Sequence, residues 1–305
     1  MDANPRISPH LKHPPLSLRF DQVLSDRSAG DCLSLNSVQV VNGILSFTDT
    51  SHLRLVIQCL TTQLKSHEDG FEQTYPNASA EELDDIAEEI GYYDYQPLKD
   101  FESNKRFSSR RVLIENAQNT WMVTTPIIWD NDPDDWDGYD VIVRTLMTTD
   151  GKIMINGSVF QFNLVPDDEH DRGDCYSYKY DKEWLNYSKS GSIYRAKTKV
   201  SLFNGPGFTT VSGETKHYTR RNNGTYRRSN TKMHVSVGGR WYDHDCSSGS
   251  LDSKSKGYKN RNRLFSKITK WEANSRKGHK FIEMNKWAAI GQYNNGSVVV
   301  SADLD

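Results

Sequence analysis

The run Asp130–Asp140 (DNDPDDWDGYD) sets carboxylates at alternate positions, as the opening of a calcium loop does. Calcium takes about six to eight oxygen ligands, and the EF-hand loop requires Gly at its sixth position and Glu at its twelfth. Asp135 and Val141 stand there, so an EF-hand is excluded. An irregular calcium site on Asp130, Asp132 and Asp134 remains, competing with a plain acidic turn. Zinc prefers imidazole and thiolate. His170, Cys175, His244 and Cys246 could supply them, but their spacing is not that of a zinc finger. A Cys175–Cys246 disulfide, suited to an exported protein, competes for the same thiols. Cys32 and Cys59 read as buried free thiols, since the neighbours of Cys59 are apolar. In Asp243-His244-Asp245-Cys246 a nucleophile adjoins a base, yet successive strand residues point to opposite faces. GxSxG, Walker, Rossmann and HExxH motifs are missing, which leaves catalytic residues unassigned.

A pattern of rings among cations carries more weight. Trp184, Tyr187, Tyr194, Tyr218 and Tyr226 alternate with Lys182, Lys189, Arg195 and several arginines. Arg220, Arg221, Arg227 and Arg228 flank one expected turn, with Tyr226 between them. Stacking rings and cations suit a polyanion such as a glycan or nucleic acid. The competing reading places the rings in a core with the cations outside it.

Charge is partitioned along the chain. The net charge of −2 conceals 30 acidic and 14 basic side chains in residues 1–174, against 10 and 24 in residues 175–305. Such a swing predicts two units with different surfaces. Either the basic half meets a polyanion, or the halves attract each other. No segment approaches the roughly 18 apolar residues of a membrane span, and the first twenty residues show no signal peptide.

The elements that would position these groups follow from local pattern. Residues 1–42 hold four of the ten prolines and read as an extended arm leading into a first strand. Asn42-Gly43 and Asn156-Gly157 predict tight hairpins. Leu53, Val56, Ile57, Leu60 and Leu64 predict a helix capped near Thr48 or Asp49, and Ser79 with Glu82 forms a capping box before a helix ending at Gly91. A third helix is expected over about 108–120. Residues 43–174 thus form an acidic helical unit with a β-hairpin, the acids around Glu82 and Glu88 being a solvated face. From residue 175 to 305 alternation dominates. In 192–203, Ala196, Thr198 and Val200 fall on one face and Arg195, Lys197 and Lys199 on the other, as in a half-buried strand. The fold class is α+β: a small acidic helical unit, then a basic antiparallel β-sandwich of immunoglobulin-like type.

Phe101-Glu102 with Phe107, Ser109 and Arg110, then Asp132-Pro133-Asp134, then Arg144–Phe162 occur in an order that resembles uncharacterised exported proteins and lipoproteins of Bacteroidota. Gly213–Arg228 and the following SVGGRWYDHDC look like that family's C-terminal β domain. The resemblance implies an exported or envelope-associated binding protein and carries no assigned activity. Two alternatives accompany it: an effector or toxin cargo of a secretion or injection machine, and a structural component whose oppositely charged halves join head to tail.

Overall fold

The structure is a computed structural model that describes residues 32–125, 127–164, 179–242, 249–271, 287–293 and 296–304. The proline-rich arm, His170, Cys175, His244 and Cys246 lie outside the described residues, and with them the zinc and Cys175–Cys246 expectations.

After a short helix α1 (Leu33–Ser37), strands β1 (Gln39–Val41) and β2 (Ile44–Phe47) form a hairpin. Asn42 and Gly43 turn it at φ of 51° and 78°, the mirror-image turn whose twist matches paired strands. Asn156 and Gly157 repeat the device between β3 (Lys152–Ile155) and β4 (Ser158–Gln161), and β3 runs parallel to β2, giving one sheet of order β1-β2-β3-β4.

Between the hairpins lie the helices. α2 (Thr50–Thr74) starts where the Asp49 carboxylate accepts the His52 N–H at 2.8 Å. Ser79 and Glu82 close their capping box on α3 (Ala80–Ile90), which ends on left-handed Gly91. α4 (Gln96–Lys105), unforeseen, has no side-chain cap at Tyr95 and ends on left-handed Arg106. α5 (Arg110–Met122) is capped by Ser109. Two single-turn 3₁₀ segments, Trp129–Asn131 and Pro133–Asp135, lead to α6 (Val141–Leu146), whose six residues are all buried. Leu45, Phe47, Leu53, Leu60, Leu98 and Ile142 share one core with Ile153 of β3. Each such buried side chain contributes about 1.5–3 kcal/mol, so packing outweighs local propensity here.

Cys32 and Cys59 are joined by a disulfide across 5.6 Å between Cα atoms. This corrects the free-thiol expectation. α1 folds back onto α2, bringing together cysteines 27 residues apart.

The remaining chain is β. The strands are β5 (Lys179–Lys189), β6 (Ser192–Gly205), β7 (Phe208–Arg220), β8 (Tyr226–Arg228), β9 (Thr231–Tyr242), β10 (Gly249–Arg261), β11 (Arg263–Trp271), β12 (Trp287–Tyr293) and β13 (Val298–Leu304). They make two antiparallel sheets, β11-β7-β6-β5 with β8 beside β7, and β10-β9-β12-β13. Ala196 and Leu264 from the first meet Met233, Val235, Tyr293 and Val300 from the second in a shared core. The α+β class therefore holds. An immunoglobulin order does not follow, because β5, β6 and β7 all stay in one sheet, whereas that fold sends its third strand to the opposite sheet.

Candidate functional site

β6 departs from its pattern. Ala196, Thr198 and Val200 are buried as expected, with Thr198 Oγ1 3.0 Å from Tyr293 Oη of the facing sheet. Lys197 and Lys199, expected in solvent, are only 1% and 3% exposed. Their face is covered by the 132–140 loop, so the strand is buried on both sides.

The physical reason is charge. Lys197 Nζ donates to Asp132 at 2.7 Å and to Asp135, and Lys182 reaches Asp135 at 2.6 Å. Asp134 is the hub: Arg144 lies at 2.6 Å, Lys216 at 2.5 Å and Lys199 at 3.3 Å. Asp137 receives Arg110 and Arg144, and Asp140 receives Lys267 at 2.9 Å while capping α6. Burial would raise the Asp134 carboxyl, but Lys199, Lys216 and Arg144 overcome it and hold the group well below the usual range. Asp135 falls to about 2 by the same contest, with Lys197 the main cation. Burial pushes the Lys216 amine down and the Glu214 carboxyl up.

This geometry reshapes the calcium candidate. Asp130 is exposed, while Asp132, Asp134 and Asp135 have carboxylate oxygens within 4.8 Å of one another. A divalent ion would have to share that space with ammonium groups already bonded to the same oxygens. Salt-bridge chemistry accounts for all three carboxylates.

The pairing extends outward along the two halves. Lys259 meets Glu72 at 2.8 Å, Arg261 meets Glu72 at 3.1 Å and Lys256 meets Glu68 at 3.5 Å. Arg227 reaches Glu88 at 3.4 Å, and the Asn230 N–H donates to Asp84 at 2.9 Å. The two halves touch, and the acids around Glu88 are only partly a solvated face.

Of the four arginines of the expected contact patch, Arg228 leaves the surface and Arg227 is paired. Arg220 and Arg221 are exposed at the turn. Across the β7–β8 ladder, successive residues 226, 227 and 228 alternate faces. Arg227 turns to Glu88, whereas Arg228 is drawn inward and donates to Gln118. Tyr226 packs edge-on against Trp129 at 4.7 Å. Trp121, Trp129, Trp184 and Tyr218 complete this ring cluster, and the Arg195 guanidinium covers Trp129 at 4.0 Å. Rings inside and cations packed on them is the arrangement seen.

Sequence reasoning did not find a groove of about 620 Å³ between α4 and α5. Residues 99, 102, 103 and 106 form one helical stripe and 108, 111, 112, 115, 116 and 119 the other. Beneath lies a buried network. Arg111 bonds Glu102 and, at 2.7 Å, Glu115. Tyr93 Oη accepts from Arg111 at 2.8 Å and donates to Glu115, and Ser109 Oγ donates to Glu102. Burial raises the Tyr93 phenol, which stays protonated as a donor. The helical spacing of polar residues was the available signal, but it reads equally as a solvated face.

No helix among the described residues is long and apolar enough to cross a membrane. No family model matches the chain, and no curated protein does. Among solved structures, a DUF4848 family protein from Bacteroides thetaiotaomicron is similar at 12% identity over 88% of this chain and 100% of that one, with a TM-score of 0.21. The chain is thus weakly similar to one uncharacterised Bacteroidota family, at a level too slight to argue fold or ligand.

Proposed function

We propose that the chain is a non-enzymatic, exported or envelope-associated binding protein. The observation that carries this reading is the Cys32–Cys59 disulfide. Such bonds form and persist in oxidising compartments and are rare in the cytosol. Two further features support it. The volume of the α4–α5 groove falls within the range of roughly 300–1,000 Å³ typical of small-ligand sites, and Arg111 ties its floor to Glu102, Glu115 and Tyr93. The charges that would join copies head to tail are instead paired within one chain, which favours binding over assembly.

Fractionating the native organism and alkylating its thiols before non-reducing mass spectrometry tests the reading. Recovery from envelope or medium with Cys32 and Cys59 linked is the expected result. A cytosolic protein with both thiols alkylated would refute it, and recovery inside an injection particle would favour the cargo alternative.

A further inference from the structure

We infer that the α4–α5 groove binds a small hydroxyl-rich molecule bearing a single anionic group, with Arg106 as its principal anchor. This rests on the binding-protein reading above and adds the ligand's chemistry to it.

α3 and α4 end in the same left-handed geometry, at φ and ψ of 67° and 32° for Gly91 and 51° and 45° for Arg106. Glycine adopts that region freely, while a side chain there is strained. The other described non-glycine residues at positive φ are Asn42, Asn156 and Ser190, each directly before a glycine. Arg106 alone among them is bulky and sits at a helix end. The neighbouring Lys105 turns its ammonium away from the groove, to the carbonyls of Asn36 and Val38. An arginine standing where glycine fits better points to work done by its side chain, which lines the groove.

The charges of the lining do not cancel. Glu102 and Glu115 are both bonded to Arg111. Lys99, near the Tyr93 ring at 5.8 Å, and Arg106 enter no ion pair among the described residues. The five groups leave one formal positive charge, which matches one anion. Ser103, Ser108, Asn116 and Asn119 are exposed along the same walls and offer both donors and acceptors, as hydroxyl groups require. Phe107, Val112 and the Tyr93 ring supply apolar surface on which the carbon face of a sugar could rest.

Calorimetric titration of the full chain at low salt tests this, using D-glucuronate, D-glucose 6-phosphate, D-glucose and the dipeptide Glu-Glu. The two sugar anions distinguish a carboxylate from a phosphate ligand. At least one should bind about tenfold or more tightly than glucose. Arg106→Gly should erase that preference while melting at or above the parent temperature, because it relieves the left-handed strain. Lys99→Ala, on an exposed helical surface, should weaken the preference without affecting folding. An Arg106→Gly protein with the preference intact overturns the proposal, as does stronger binding of Glu-Glu. Equal uptake of glucose and both anions also overturns it but leaves the binding-protein reading standing. Failure of every probe removes this groove assignment, while the reading itself is decided by fractionation.

Discussion

The centre and the rim of the seam between the two halves use the same residue types to different ends. At the centre, Asp134 is 3% exposed and meets four cations, Arg144, Lys197, Lys199 and Lys216. At the rim, the Glu88 and Arg227 side chains are 77% and 37% exposed and meet at 3.4 Å. A buried pair has lost its hydration, so removing one partner strands the other in a low dielectric. An exposed pair recovers water when broken and contributes little. The centre therefore specifies how the 132–140 loop lies on β6 and β7, and the rim chiefly removes like-charge excess from the surface.

Neutralising the hub should have the largest effect. Asp134→Asn keeps the shape but takes the nearest carboxylate from Lys199 and Lys216, leaving them Glu214 at 3.8 Å, and leaves Arg144 with Asp137 alone, for a loss of about 3–5 kcal/mol in urea unfolding. A loss below 1 kcal/mol would erase the contrast with the rim. Because the folded carboxyl titrates well below its unfolded value, its contribution is present above the unfolded pKa near 3.8 and is lost only as pH falls toward the folded one.

Asp84 lies between the extremes and carries the opposite sign. Burial raises its carboxyl to about 6, against the Asn230 N–H. A raised folded pKa means stability is greatest below about 3.8 and is lost as pH climbs through 6. Asp84→Asn keeps the acceptor for Asn230 without the charge. It should stabilise the protein at pH 7.5 by roughly 1–2 kcal/mol after allowance for solvent screening, and far less at pH 4. Melting curves at the two pH values check both size and sign. The smallest effect belongs to the rim, where Glu88→Gln should change stability by less than about 0.5 kcal/mol and by nothing measurable at 1 M salt.

Local chemistry was legible from the residues, whereas long-range pairing was not. The Asn-Gly hairpins, the Ser79–Glu82 box and the Gly91 stop were readable because each depends on a few adjacent residues. α4 was missed because Tyr95 gives no cap signal, and α6 because a helix buried on every side has no polar stripe. β6 looked half-buried because alternation reports only that charged residues share a face. It cannot report that the face is covered by carboxylates made 65 residues earlier. The same blindness made Arg227 and Arg228 look like one surface and kept Cys32 apart from Cys59. The 30-to-14 and 10-to-24 charge split did hold the clue to mutual attraction, without naming the partners.

That separation also orders the birth of the molecule. A chain appears N-terminus first, so Asp132, Asp134 and Asp135 exist well before Lys197, Lys199 and Lys216. Until Lys197 arrives, Asp132 and Asp135 must stay hydrated, since an unpaired charge cannot be buried at tolerable cost, whereas Asp134 already has Arg144. The helical core can collapse early, while its last loop waits in water for a surface not yet made. Completion of the first half thus depends on the second, whose Phe208 also enters the helical core.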